Sequence, residues 1–184
     1  MPTEYETACI EGVRNAFALH EKFSGGLPLS FAPEGFVQGQ IALALAERGV
    51  IVQLESPVYA TLCEAGAELR GKPFKGIGGR IDVVTWWKNG TPRHLIEVKM
   101  LRHGGAIAGD VGRLKTMLKR GGFRQGLIVV YAEAIKEATV ANRISSAAKL
   151  QGCEIADRSV VQLFRSDWVG GVHWQAACFR VCHA

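Results

Sequence analysis

The chain has 184 residues, 48% hydrophobic and 21% charged, which suits one domain with a sizeable core and excludes a disordered chain. Its formal charge of +5 at pH 7 tilts toward a polyanionic partner without establishing one. No apolar run reaches the ~18 residues of a membrane span, and the opening MPTEYETACIEG has neither the basic nor the apolar region of a signal peptide.

Taken in chain order, Thr3 and Glu6 form a capping-box pattern that opens a helix to about Lys22. A loop rich in Gly, Pro and Ser follows over 24–34. Val37, Ile41, Ala44 and Leu45 give one apolar stripe, so a second helix is expected over 35–48, stopped by Gly49. VIVQLESPV (50–58) reads as a strand, and a short helical turn is expected near 60–69. Two apolar runs, about 80–87 and 92–100, read as strands. A helix over 107–120 has Ile107, Val111, Leu114 and Leu118 on one face. GLIVVYA (126–132) has the fully apolar character of a strand covered on both faces. A helix over 133–150 and two strands, 159–165 and 171–181, complete the order. The packing this favours is α/β: a mixed sheet with helices on both faces.

Five scattered cysteines, Cys9, Cys63, Cys153, Cys178 and Cys182, fit reduced thiols in a cytoplasmic protein better than a disulfide framework. Cys178, Cys182 and His183 could share zinc only if their strand breaks, because four strand residues span ~13 Å.

Chemistry concentrates in GRIDVVTWWKNGTPRHLIEVKM (79–100). Asn89-Gly90 signals a two-residue hairpin turn of type I′. With Lys88 facing Thr91, the register sets Asp82 directly opposite Glu97, with β-carbons ~4.5–5.5 Å apart. Lys99 points to the same face. Pro92 would then face Trp87 at a non-hydrogen-bonded position and lose no ladder bond. Facing carboxylates repel, and burial requires that they be paired, protonated or bound to a cation. Two oxygen donors side by side suit a hard divalent ion. The bland account is a solvated polar face on which Lys99 neutralises one acid. Val84 and Trp86, on the same face as Asp82, argue against it.

Arg80-Ile81-Asp82 followed by Glu97-Val98-Lys99 on the next strand resembles the PD-(D/E)XK nuclease superfamily, the restriction-endonuclease-like fold. The segments 35–48, 50–58, 80–87, 92–100, 107–120 and 126–132 match its core order αβββαβ. The resemblance thus covers about 35–132 of a single domain spanning 1–184, with an extra N-terminal helix and a C-terminal helix plus strands as additions. Ile81 stands where the motif often has Pro. The family's helix Glu is expected near Gln38, where a Gln could serve as an oxygen ligand or water holder. Glu55 is a further accessory candidate, and Glu47 competes with it.

The resemblance implies a divalent-metal-dependent hydrolase of phosphodiester bonds, with DNA as the first candidate substrate. Asp82, Glu97 and the Val98 carbonyl would hold Mg²⁺ or Mn²⁺, and Lys99 would position the attacking water. Candidate substrate cations are Lys72, Lys75, Arg80, Arg102, His103, Arg113, Lys115, Lys119, Arg120 and Arg124, each of which has solubility as its plain explanation. Asp110 has a role as helix cap and Arg113 as its partner one turn on. Trp86 and Trp87 are candidates for base stacking, with at least one expected in the core. Nucleic acid is the implied partner, a homodimer is permitted and no membrane is expected. A catalytically inactive binding or assembly module of the same fold is the alternative. A small-molecule enzyme lacks support, since no nucleophile elbow or dinucleotide fingerprint is present.

Overall fold

A computed structural model describes residues 3–67, 78–102, 107–150, 154–155, 162–165 and 172–181. Lys72, Lys75, Cys153, His103, Cys182, His183 and the segment 167–170, expected to join the last two strands as a hairpin, lie outside them.

Thr3 and Glu6 form the expected capping box, with the Glu6 N–H donating to Thr3 Oγ1 at 3.3 Å and the Thr3 N–H to Glu6 Oε2 at 2.6 Å. Two orphan N–H groups are satisfied in this way, and helix α1 (Glu4–Ser24) begins there. A 3₁₀ turn, Leu29–Phe31, leads into α2 (Glu34–Ala46). Strand β1 (Ile51–Pro57) and the short helix α3 (Val58–Glu64) precede β2 (Arg80–Trp86) and β3 (Pro92–Met100). Then come α4 (Ala108–Arg120), β4 (Gln125–Ala134), α5 (Glu137–Leu150), β5 (Glu154–Ile155), β6 (Gln162–Arg165) and β7 (His173–Val181).

The strands form one sheet in the order β1-β2-β3-β4-β7-β5, with β6 also paired to β7. Only β3 and β4 run parallel, so the sheet is mixed. Alternation along the strands sends successive side chains to opposite faces. On one face Val83, Ile96, Val98 and Val129 pack against Val13 of α1 and Ile41 of α2. On the other, Val84, Leu95 and Ile128 pack against Leu114 of α4 and Ile144 of α5. The protein is therefore α/β with helices on both faces. Ile10 and Val13 of α1 and Trp174 and Phe179 of β7 are buried in its core. No helix among the described residues is long and apolar enough to cross a membrane.

Pairing with β7 continues to Ala134–His173, so β4 outruns the apolar segment 126–132. Glu133 is consequently a strand residue rather than the start of the following helix.

The hairpin differs from the two-residue turn. Trp87 C=O accepts the Gly90 N–H at 3.0 Å, and the Trp87 N–H donates to Thr91 C=O at 2.8 Å. The loop is therefore Lys88–Gly90. Gly90, at φ 81°, supplies the left-handed residue that three-residue hairpins use. Asn89 acts through its side chain, accepting the Thr91 N–H at 3.1 Å. The longer loop shifts the register, so that Pro92 faces Trp86 rather than Trp87. A bulge at Arg93 then shifts it back. The His94 N–H donates to Thr85 Oγ1 at 3.1 Å, and His94 Nδ1 lies 2.9 Å from the same hydroxyl. The Arg93 guanidinium stacks over Trp87 at 3.7 Å and Tyr5 at 4.5 Å. From Thr85–His94 to Val83–Ile96 the expected register holds. Extended by one residue, it sets Asp82 opposite Glu97.

Helices α1 and α2 meet where Gly12 crosses Ile41. A Cβ on Gly12 would lie 2.4 Å from the Ile41 Cα, whereas one on Gly39, in α2, would meet nothing within 4 Å. Gly12→Ala should destabilise by about 1–3 kcal/mol through overpacking, despite its gain in helix propensity. Gly39→Ala should stabilise by about 0.5–1 kcal/mol. Urea midpoints of the two variants check this; equal shifts would mean that α1 and α2 can move apart freely.

Candidate functional site

Beyond the Val83–Ile96 pair, β2 stays on β1 through Arg80–Pro57, while β3 stays on β4 through Met100–Tyr131. The sheet forks there, and a ladder N–H of β3 is left without a strand partner. Asp82 fills the position: its Oδ2 accepts the Val98 N–H at 2.7 Å. A strand residue's N–H and C=O point toward the same neighbour, so the Val98 carbonyl opens onto the fork as well.

Glu97 lies against Asp82, and the two carboxyl groups share a hydrogen bond. Glu97 is only 3% exposed. Burial, reinforced by the Asp82 charge, pushes it up to about 9, although the Arg113 guanidinium pulls the other way. Burial raises Asp82 too, opposed by the Val98 N–H and the Glu97 hydrogen bond and assisted by Glu34 and Glu55. At neutral pH Glu97 therefore favours its protonated form. Arg113 Nη2 lies 2.7 Å from Glu97 Oε1 and 3.2 Å from Asp110 Oδ1. Its contact with Glu97 lacks hydrogen-bond alignment, and Glu97 Oε1 remains buried with no directed donor.

Lys99 follows two residues along β3, and its Nζ lies 3.8 Å from Glu34 Oε1. Glu34 opens α2 directly after Pro33. It brings a carboxylate to the site from the helix on which the sequence pointed to Gln38. Gln38 is buried one turn further on and makes no hydrogen bond to Asp82 or Glu97. The sequence signal for Glu34 was available, since Pro-Glu immediately before an apolar-periodic run marks a helix start. Glu55 is exposed on β1 at φ 52°, and its charge reaches Asp82.

The proposed substrate cations are dispersed. Arg80 is exposed at the start of β2, Arg102 is exposed just past β3, and Lys115 is half-buried on α4. Arg113 is committed to Glu97 and Asp110 and is not a free phosphate ligand. Asp110 pairs with Arg113 and does not cap α4, whose cap position is Ile107. Trp86 packs on the core, while Trp87 is 40% exposed beneath Arg93. A groove lined by Ile51, Gln53, Trp87 and Lys88 lies at the turn end of the hairpin, away from the acids.

No family model, curated protein or solved structure matches the chain. Its site must therefore be judged on its own chemistry. Among the described residues, no three His, Cys, Asp or Glu side chains converge as a ready-made metal cage. Mg²⁺, however, keeps several waters and needs only one or two carboxylates. Two contacting acids, one with a buried oxygen held only by the Arg113 ion pair, fit such an ion.

The upward shift of Glu97 has a measurable consequence. Glu97 binds its proton in the folded state between its ordinary 4.5 and about 9. The stability it contributes is complete below the lower value and lost as pH rises through the upper one, with a slope approaching ~1.4 kcal/mol per pH unit. His94, lowered to about 4 by burial and by Arg93 and Arg124, acts only below its ordinary 6.5. Urea unfolding in EDTA from pH 7 to 9 should show falling stability for the wild type and a flatter profile for Glu97→Gln. Parallel profiles would place Glu97 in its ionised form throughout.

Proposed function

We propose that the protein is a divalent-metal-dependent phosphodiesterase acting on nucleic acid, with DNA the first candidate, in the manner of the PD-(D/E)XK nucleases it resembles. The observation that carries this reading is the contact of Asp82 and Glu97 at the sheet fork, with Glu97 Oε1 buried and undirected. Support also comes from Lys99 on the same strand and from a helix-borne acid, Glu34, beside it.

Asp82, Glu97 and the Val98 carbonyl would hold Mg²⁺ or Mn²⁺. Bound there, the ion would acidify a coordinated water and offset charge on the phosphate oxygens. Lys99, 43% exposed at its side chain, can swing from Glu34 to a water or a non-bridging phosphate oxygen, where its ammonium acts as a point charge. Glu34 holds that ammonium near the fork when no phosphate is present. Glu97 must release its proton to become a ligand, so binding is coupled to pH.

One observation favours the second reading, an inactive nucleic-acid-binding or assembly module. A proton and Arg113 already neutralise the acid pair, so the fold tolerates it without an ion.

Calorimetric titration of Mn²⁺ into wild type and into Asp82→Asn/Glu97→Gln, followed by plasmid cleavage, separates the two. Binding and cleavage by the wild type alone are expected, with about one proton released per ion near neutral pH. No binding to either protein would leave the binding-module reading. Lys99→Ala should lower the cleavage rate by roughly 10²-fold or more while Mn²⁺ affinity changes little. A collapse of affinity instead would make Lys99 a structural support.

A further inference from the structure

The 3₁₀ turn between α1 and α2 carries an unusual combination: a rigid backbone and an exposed ring. Leu29 anchors it in the core at 1% exposure. The Ser30 N–H donates to Glu133 Oε2 at 3.0 Å, and Ser30 C=O accepts from Arg102 Nη2 at 3.4 Å. Phe31 N–H and Ala32 N–H close the turn onto Pro28 C=O and Leu29 C=O, at 3.0 and 2.9 Å. On this fixed backbone Phe31 is 71% exposed. Phe23, 63% exposed in the last turn of α1, is edge-on to Phe36 of α2 with ring centroids 5.6 Å apart.

The turn is tied to the strand that carries Glu97 and Lys99 by two contacts. Three residues after Phe31, Glu34 meets Lys99, and Arg102, exposed, reaches the turn itself. A π-face next to a guanidinium and an ammonium is complementary to a nucleobase with its phosphate. Paired bases hide their faces in the stack, so a duplex can present only its terminal pair to such a ring. Unpaired bases present theirs along the whole strand.

We infer that the turn Leu29–Phe31 is a base-stacking platform for single-stranded nucleic acid, with Phe31 as the ring and Arg102 and Lys99 as the phosphate contacts. The inference deepens the phosphodiesterase reading and rests on it for the direction of the strand toward Asp82 and Glu97. It assigns unpaired strands as the substrate class. Clamping of Ser30 on both sides means that little ordering is required of the turn when a base stacks.

The test is fluorescence anisotropy in EDTA, using a labelled oligothymidylate and a blunt duplex of equal length. Wild type should prefer the oligothymidylate. Phe31→Ala should weaken that binding about tenfold and leave duplex binding unchanged, while Phe31→Trp should preserve it. Arg102→Ala should weaken binding to both probes and reduce the salt dependence. No loss in Phe31→Ala, or an equal loss for both probes, overturns the inference. So does a sedimenting dimer that Phe31→Ala dissociates while oligothymidylate binding is unchanged, which would make the flank a contact between copies of this chain. Mn²⁺-dependent cleavage separates the two readings. Cleavage with Phe31→Ala indistinguishable from wild type sinks the platform alone. Stacking without any cleavage sinks the phosphodiesterase reading alone.

Discussion

The site depends on a backbone group that would otherwise go unsatisfied. Where β2 parts from β3, the Val98 N–H loses its strand partner, and leaving it buried and unpaired would cost about 1–3 kcal/mol. Asp82 supplies the acceptor. That single hydrogen bond fixes the Asp82 carboxylate in the fork, with Glu97 beside it on the other bank. Two ionised carboxylates in such contact are not stable away from water. The protein answers with a proton on Glu97 and with Arg113 reaching down from α4. The acids are thus compatible with a folded protein in the absence of an ion.

The apolar periodicities located nearly every element, because burial on one face is what both the sequence pattern and the packed sheet express. The register at the acids was also legible, but by a route with two compensating departures. Asn89-Gly90 suggested a two-residue turn; the chain uses three, and the Arg93 bulge restores the pairing. The bulge was not visible locally. It is held by the Thr85 hydroxyl, across the hairpin, and by an arginine stacked between Trp87 and Tyr5, the latter far away on α1. Tertiary contacts of this kind leave no periodic trace in the chain.

The same distinction separates the legible and illegible parts of the site. Asp82, Glu97 and Lys99 share one hairpin, so strand alternation alone places them on one face. Glu34 and Arg113 come from helices, and their approach depends on how α2 and α4 lie across the sheet. Counting along α2 led to Gln38, one turn from the residue that reaches Lys99. Arg113 resembles a substrate cation when read on α4 by itself. In the fold it is an internal countercharge, 22% exposed and shared between Glu97 and Asp110.

Charge distribution sets how a polyanion can approach. The chain carries +5 overall, yet the fork gathers Asp82, Glu97, Glu34, Glu55 and Asp110 against Lys99 and Arg113. With Glu97 protonated the remaining four acids still outnumber Lys99, Arg113 and the flanking Arg102. A divalent ion at the fork would offset most of that local charge, and the phosphate it attracts would strengthen the ion's own binding. The two affinities are then linked reciprocally. An aromatic contact on the α1–α2 turn is indifferent to this field, because stacking requires a π-face and no charge. It can hold a strand beside the fork before the acids have been neutralised. This gives a physical reason for an acidic fork and an exposed aromatic ring to lie near one another.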